Sequence, residues 1–250
     1  MTTKTFSLEY TAEKLYDSEA STDTAVIIVA AGSASRMGGI NKILSPLCFL
    51  PVIQRTIAAF EAHPAVKSIV VVTKEDMLAD IQKIVLKADF LKVTDIVLGG
   101  ASREESVKCG FDILSKNEEI KKVLVHDGAR PLVSFDVIDR VITATDSFGA
   151  AIPAVAVKDT IKKVGAIGKV VETLERDNLV NIQTPQGFKT EILKDAFFKA
   201  DKDLDAFTDD SSLVEAAGYS VYTVKGDYKN IKITTPEDML IASAYIDTEK

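Results

Sequence analysis

The stretch Ala25-Val-Ile-Ile-Val-Ala-Ala31 narrows the fold more than any other part of the chain. It is apolar throughout, β-branched at its centre and stopped by Gly32. A strand with one wet face alternates polar and apolar residues; a strand covered on both faces does not, and such strands belong to parallel sheets between helical layers. Comparable runs recur at wide spacing, at 68–73, 95–98, 122–126, 150–157 and 220–224. Helical patterns fall between them, near 52–62, 75–87, 103–115, 134–147, 190–200, 209–217 and 236–246. The last opens on Pro236 with Glu237 and Asp238, a proline in the first turn and acids at the positive end of the dipole. The alternation predicts βαβ crossovers: an α/β, three-layer, Rossmann-like architecture with a mostly parallel sheet. A chain of 250 residues has room for one such unit, expected at 24–250 behind a polar, aperiodic extension at 1–23.

One stretch, about 155–185, breaks the rhythm. Asp159-Thr-Ile-Lys-Lys163 and Lys169-Val-Val-Glu-Thr-Leu174 flank a glycine-containing turn and predict a protruding β-hairpin. A lone hairpin cannot bury both faces, so packing against the same element of a second chain is expected, making a dimerisation arm and a homodimer. A surface flap on a monomer is the alternative.

Two segments carry the chemistry. The first βα turn reads Ala30-Ala-Gly-Ser-Ala-Ser-Arg-Met-Gly38, followed by Asn41-Lys42. Ligands of open α/β sheets lie at the carboxyl ends of strands, where small residues let backbone N–H groups approach a polyphosphate and Arg36 and Lys42 add charge. The turn has neither the P-loop nor the G-x-G-x-x-G pattern. A plain structural turn, the alternative, would seldom need both cations. The second segment, His126-Asp-Gly-Ala-Arg-Pro131, ends another strand. Asp127 there suits Mg²⁺ beside a triphosphate, and Arg130 suits a second anion, unless Asp127 merely caps the next helix. His126 and His63 read as packed side chains. A net charge of −7 argues against general nucleic-acid binding but permits a basic pocket. Cys48 and Cys109 have neither zinc nor disulfide-framework spacing, no apolar run is long enough to span a bilayer, and residues 1–20 lack a signal-like run; a cytoplasmic protein is expected.

Over 25–246 these pieces, joined by Gly99-Gly-Ala-Ser-Arg-Glu-Glu-Ser106, Val157-Lys-Asp-Thr-Ile161, Val171-Glu-Thr-Leu-Glu-Arg176, Gln183-Thr-Pro-Gln-Gly-Phe188 and Asn230-Ile-Lys-Ile-Thr-Thr-Pro-Glu-Asp238, resemble the 2-C-methyl-D-erythritol 4-phosphate cytidylyltransferase family. The resemblance implies transfer of a cytidylyl group from CTP to methylerythritol phosphate with Mg²⁺, releasing pyrophosphate, in the non-mevalonate isoprenoid pathway. It implies catalytic roles for Arg36, Lys42 and Lys232. A CTP pocket would come from Ala31, Gly32, Gly100, Ala101, Arg103 and Ser106. Substrate binding would fall to Asp127, Arg130, Thr160, Arg176 and Thr184, with Asp127 at the metal and Asp227 or Asn230 completing its shell. In this family part of that site comes from the partner subunit's arm, so shared active sites in a homodimer are implied. The chain departs from the family pattern at Asn41-Lys-Ile43 and Cys48-Phe-Leu-Pro51, where a glutamine and a Gly-rich turn are usual; altered packing around Lys42 is expected. A ribitol 5-phosphate cytidylyltransferase and a non-catalytic nucleotide-binding protein on the same scaffold are the competing readings.

Overall fold

A computed structural model describes residues 22–32, 41–200 and 204–247. The run that begins at Ala25 is strand β1 (Thr24–Val29), and it lies inside an eight-stranded sheet. It pairs in parallel with β4 (Val66–Thr73) on one side and β6 (Lys122–Asp127) on the other, and β4 pairs in parallel with β5 (Val93–Leu98) at the edge. Beyond β6 comes β11 (Gln186–Lys189), antiparallel both to β6 and to β7 (Ala150–Ala156). Strand β10 (Val180–Ile182) is also antiparallel to β7, whereas β12 (Tyr222–Lys225) is parallel to it. The sheet is therefore mixed but mostly parallel, as the alternation predicted.

The alternation inside β1 sorts the two cores. Val26 and Ile28 pack with Ile53, Ile57 and Phe60 of α1 (Val52–Glu61), Met77 and Ile81 of α2 (Glu75–Ala88), and Val137, Ile138 and Val141 of α4 (Phe135–Phe148). Ala25 and Ile27 face the other layer: Val107 and Phe111 of α3 (Arg103–Leu114), Leu193 and Phe197 of α5 (Thr190–Ala200), and Leu213 and Val214 of α6 (Asp210–Ala216). With both faces covered, the three-layer expectation holds. A smaller cluster joins Leu47, Val52 and Ile233 to Ala242 of α7 (Pro236–Asp247).

Around the departure at 48–51, β2 (Pro46–Leu47) and β3 (Leu50–Pro51) form a tight hairpin. Its two turn residues, Cys48 (φ 46°) and Phe49 (φ 72°), both adopt the left-handed region that glycine takes at little cost. Arg55 compensates by donating to the carbonyls of Leu47 (2.7 Å) and Cys48 (2.8 Å). Beside it, the Asn41 side chain accepts from Ile43 N and its carbonyl from Ser45 N, while Ile43 is buried in the core. These bonds hold the backbone on either side of Lys42.

The predicted hairpin is present, with shorter strands than expected: β8 (Lys162–Val164) and β9 (Val170–Thr173) pair antiparallel around a 3₁₀ turn. No residue between 155 and 182 is buried.

Candidate active site

The carboxyl ends of β6, β1, β4 and β5 follow one another along the same edge of the sheet, and the glycines after β5 are required by close approach. A Cβ on Gly99 would stand 2.5 Å from Ser106 Oγ and 2.9 Å from Ala31 Cβ; one on Gly100 would stand 2.4 Å from Glu105 Cβ. The turn after β5 therefore lies flat against the end of β1, bringing Ala31, Gly100, Ala101 and Ser106 into one neighbourhood. Ser106 is buried and donates to Ser102 O (2.8 Å), while the backbone N–H of Ala101 donates to Glu105 Oε2 (2.6 Å). Ser102 caps α3 by accepting from Glu105 N.

Next to this turn is a cavity of about 620 Å³. Five of the sequence-predicted residues line it: Arg103, Asp127, Arg130, Thr184 and Lys232. Asp127, the last residue of β6, is the hub. Its Oδ2 receives Lys232 Nζ (3.0 Å) and Arg130 Nε (3.2 Å), and its Oδ1 lies 3.8 Å from Arg103 Nε. Burial alone would raise this carboxyl; Lys232, Arg103 and Arg130 outweigh burial and hold it well below the usual carboxylate range. Lys232 reaches Asp127 because Ile231 and Ile233 on either side turn into the apolar cluster under α7. Of the three cations it is the most exposed, so its ammonium stays open to the cavity.

A chain of buried hydrogen bonds fixes this floor. Asp127 N donates to Thr184 Oγ1 (3.1 Å), Thr184 Oγ1 meets His126 Nδ1 (2.9 Å), and His126 Nε2 meets the Arg130 carbonyl (3.1 Å). Because a carbonyl only accepts, Nε2 carries the proton, and Thr184 donates to Nδ1. Burial pushes His126 down to about 4, so it is neutral in this arrangement. Asn230 Nδ2 donates to Thr184 O (2.8 Å) and Arg130 Nη1 donates to Asn230 O (2.8 Å), tying the Lys232 loop to the same floor. His126 is thus a packed positioning side chain, as its sequence context predicted.

Other expected residues lie elsewhere. Arg36 falls outside the described residues. Ala31 and Gly32 sit at the end of β1 and, with Gly100, Ala101 and Ser106, border the cavity without lining it. Lys42 enters the described chain just after the undescribed stretch and does not line the cavity. Thr160 and Arg176 belong to the arm and are not brought to the cavity of their own chain; Arg176 Nη1 donates to Lys158 O (3.0 Å). Sequence reading missed Gln183, Gln186, Thr208, Asp209, Ser211 and Ser212, which also line the cavity. The polar run Thr208-Asp-Asp-Ser-Ser212 ahead of a helix was the available signal. Asp209 forms a capping box with Ser212, and Gln186 clamps this helix start through Asp209 Oδ2 (2.8 Å) and Ser211 N (2.9 Å).

Among the described residues no three of His, Cys, Asp and Glu converge as a metal-binding group. Asp227 Oδ1 accepts from Lys229 N, Asn230 is buried against Thr184, and neither lines the cavity. Asp127 is ionised and lines the cavity, so it is the carboxylate that could meet a divalent cation, in exchange for Lys232 or Arg130 on its Oδ2, with the remaining oxygens coming from a bound polyphosphate. No described helix is long and apolar enough to cross a membrane.

The whole arrangement suits anionic substrates and contains no His or Cys among its lining residues. Comparison with known proteins agrees with the motif resemblance. The family model of 2-C-methyl-D-erythritol 4-phosphate cytidylyltransferase (IspD) matches residues 24–248. The enzyme of that name from Bacillus cereus is 43% identical over 226 residues, 90% of this chain and 98% of the relative. The one from Alkaliphilus metalliredigens is 44% identical over 227 residues, 90% and 93% respectively. The crystal structure of 4-diphosphocytidyl-2C-methyl-D-erythritol synthase from Anaerococcus prevotii superposes with a TM-score of 0.76 at 32% identity, covering 90% of this chain and 98% of that one. The chain belongs to the 2-C-methyl-D-erythritol 4-phosphate cytidylyltransferase family of nucleotidyltransferases.

Proposed function

We infer that the chain transfers the cytidylyl group of CTP to 2-C-methyl-D-erythritol 4-phosphate, forming 4-diphosphocytidyl-2-C-methyl-D-erythritol and pyrophosphate. The observation that carries this reading is the convergence of Arg103, Arg130, Lys232 and Thr184 on Asp127 beside the close-packed turn after β5. The acceptor phosphate oxygen attacks the α-phosphorus of CTP, and the bond to the β-phosphate bridging oxygen breaks. That nucleophile is ionised near neutral pH, so no general base is required, and none of the cavity's carboxylates (Asp127, Asp209 and Glu215) needs to take a proton. Catalysis is alignment of two polyanions and stabilisation of charge in line.

In this reading Ala31, Gly32, Gly100, Ala101 and Ser106 form the nucleotide side with Arg103. Lys232 meets the α-phosphate, with Arg36 and Lys42 on the triphosphate. Arg130 and Thr184 hold the acceptor. Asp127 and the polyphosphate would hold Mg²⁺, which supplies neutralisation of phosphate charge; the chain's own cations orient both substrates. Thr160 and Arg176, remote from the cavity of their own chain, would complete the partner subunit's site, which makes a homodimer with crossed arms the functional form. Exposed Val164, Ile167, Val170 and Val171 on the arm support this. The family match over 24–248 supports reading 24–250 as one catalytic unit, and an acidic chain handling small phosphates suits the cytoplasm.

The test is pyrophosphate release from CTP and Mg²⁺ with each sugar phosphate offered in turn. Release with methylerythritol phosphate is expected. Release with ribitol 5-phosphate alone would reassign the acceptor, and release with neither would favour a nucleotide-binding protein without this activity.

A further inference from the structure

Arg103 breaks a local rule. It is the first residue of α3, where the helix dipole favours anions, yet only a quarter of its side chain is exposed. Three carboxylates surround it: Asp210 Oδ2 at 2.7 Å from Nη2, Glu104 Oε1 at 3.5 Å from Nη1, and Asp127 Oδ1 at 3.8 Å from Nε. Burial would lower the pKa of the guanidinium, but Asp210, Asp127 and Glu104 together raise it above its ordinary value, so it stays charged. Stability alone gives no reason to bury a cation at a helix N-terminus, and such conflicts mark functional positions.

Asp210 makes the shortest of these three contacts, and among the described residues it has no other ion pair. It is fully buried at the first position of α6, and among the described residues its Oδ1 has no hydrogen-bond partner. Helix capping is supplied by its neighbour Asp209, so Asp210 is not needed as the cap. Unlike Asp209, it does not line the cavity; it stands behind Arg103, which does. We propose that Asp210 is a positioning residue: it draws one edge of the Arg103 guanidinium away from Asp127, so that the Arg103 side chain is presented to the nucleotide and does not collapse into a full ion pair on the cavity floor. The pair also joins the start of α3 to the start of α6, two helices of the same layer. The proposal rests on the nucleotide-side reading of Arg103.

A double-mutant cycle tests it, with Arg103→Met, Asp210→Asn and both together, after wild-type turnover with CTP and methylerythritol phosphate has been established. Absence of wild-type turnover would overturn the reading of function; the cycle judges Asp210. Asp210→Asn is expected to raise KM for CTP roughly tenfold, the scale of one charge-assisted hydrogen bond, with KM for the sugar phosphate unchanged. In the Arg103→Met background the same substitution should leave KM for CTP unchanged, because its effect passes through Arg103. Equal losses in both backgrounds, a rise in KM for both substrates alike, or no effect of either single substitution would overturn the proposal. Should Asp210→Asn alone not fold, comparing Arg103→Met with the double variant decides: equal KM for CTP supports the proposal, and a further rise contradicts it.

Discussion

The cavity floor and the hairpin arm are built on opposite rules. At the floor, His126, Asp127, Thr184 and Asn230 are buried, and each is bonded to at least one of the others or to Arg130. Along the arm no residue is buried, and Ile167 at its turn is wholly exposed. The floor is finished within one chain; the arm displays apolar side chains with nothing of its own to cover them. Preorganised groups do chemistry, while unfinished surfaces wait for a partner, and in this protein both belong to one proposed site.

The largest effect expected from breaking the contrast lies on the catalytic side. Lys42→Ala should lower kcat by roughly 10²–10³, about 2.7–4 kcal/mol of barrier, with an unchanged melting curve. Steady-state kinetics beside circular dichroism checks both halves; wild-type turnover would refute the role of Lys42.

The floor should also be pH-sensitive in a defined direction. The folded-state pKa of His126 is depressed by burial to about 4, below its ordinary 6.5, so the unfolded chain binds the proton first. The folded chain keeps this advantage above 6.5 and loses it as pH falls from 6.5 toward 4, by up to roughly 3 kcal/mol. His63, lowered by burial against the opposing pull of Asp139, adds to the same trend. Denaturant titrations at pH 7 and pH 5 should show the fall, and a His126→Gln variant should show less of it.

Smaller effects sharpen the comparison. Thr184→Val keeps the shape but deletes the link between Asp127 N and His126 Nδ1; a loss of about 1–2 kcal/mol in stability is expected by denaturant titration, together with a raised KM for the acceptor. On the arm, Val171→Asp should leave chain stability within about 0.5 kcal/mol, because the site is exposed, while sedimentation shows a single-chain mass.

The sequence made long, uniform signals readable and short, composite ones unreadable. Strands such as β1 and β6 announced themselves because both faces are covered, and Asp127 and Arg130 because they follow such a strand directly. Strand β11 was hidden: it is four residues long, holds a glycine, and is set by pairing with β6 and β7. Gln183, Gln186 and Asp210 were hidden for a related reason, since their partners lie between 23 and 107 residues away and only the folded topology brings them together. Lys232 was legible as a motif, but its direction follows from the packing of Ile231 and Ile233.

The claim that joins floor and arm can be tested in one mixing experiment. Lys232→Ala damages the floor and Arg176→Ala the arm, and each homodimer should be deficient. If each site takes its floor from one chain and its arm from the other, a heterodimer has one intact site, and an exchanged equimolar mixture should recover about a quarter of wild-type cytidylyl transfer, since half the dimers are mixed. A mixture no more active than the mean of its two components would contradict a site completed by the partner's arm.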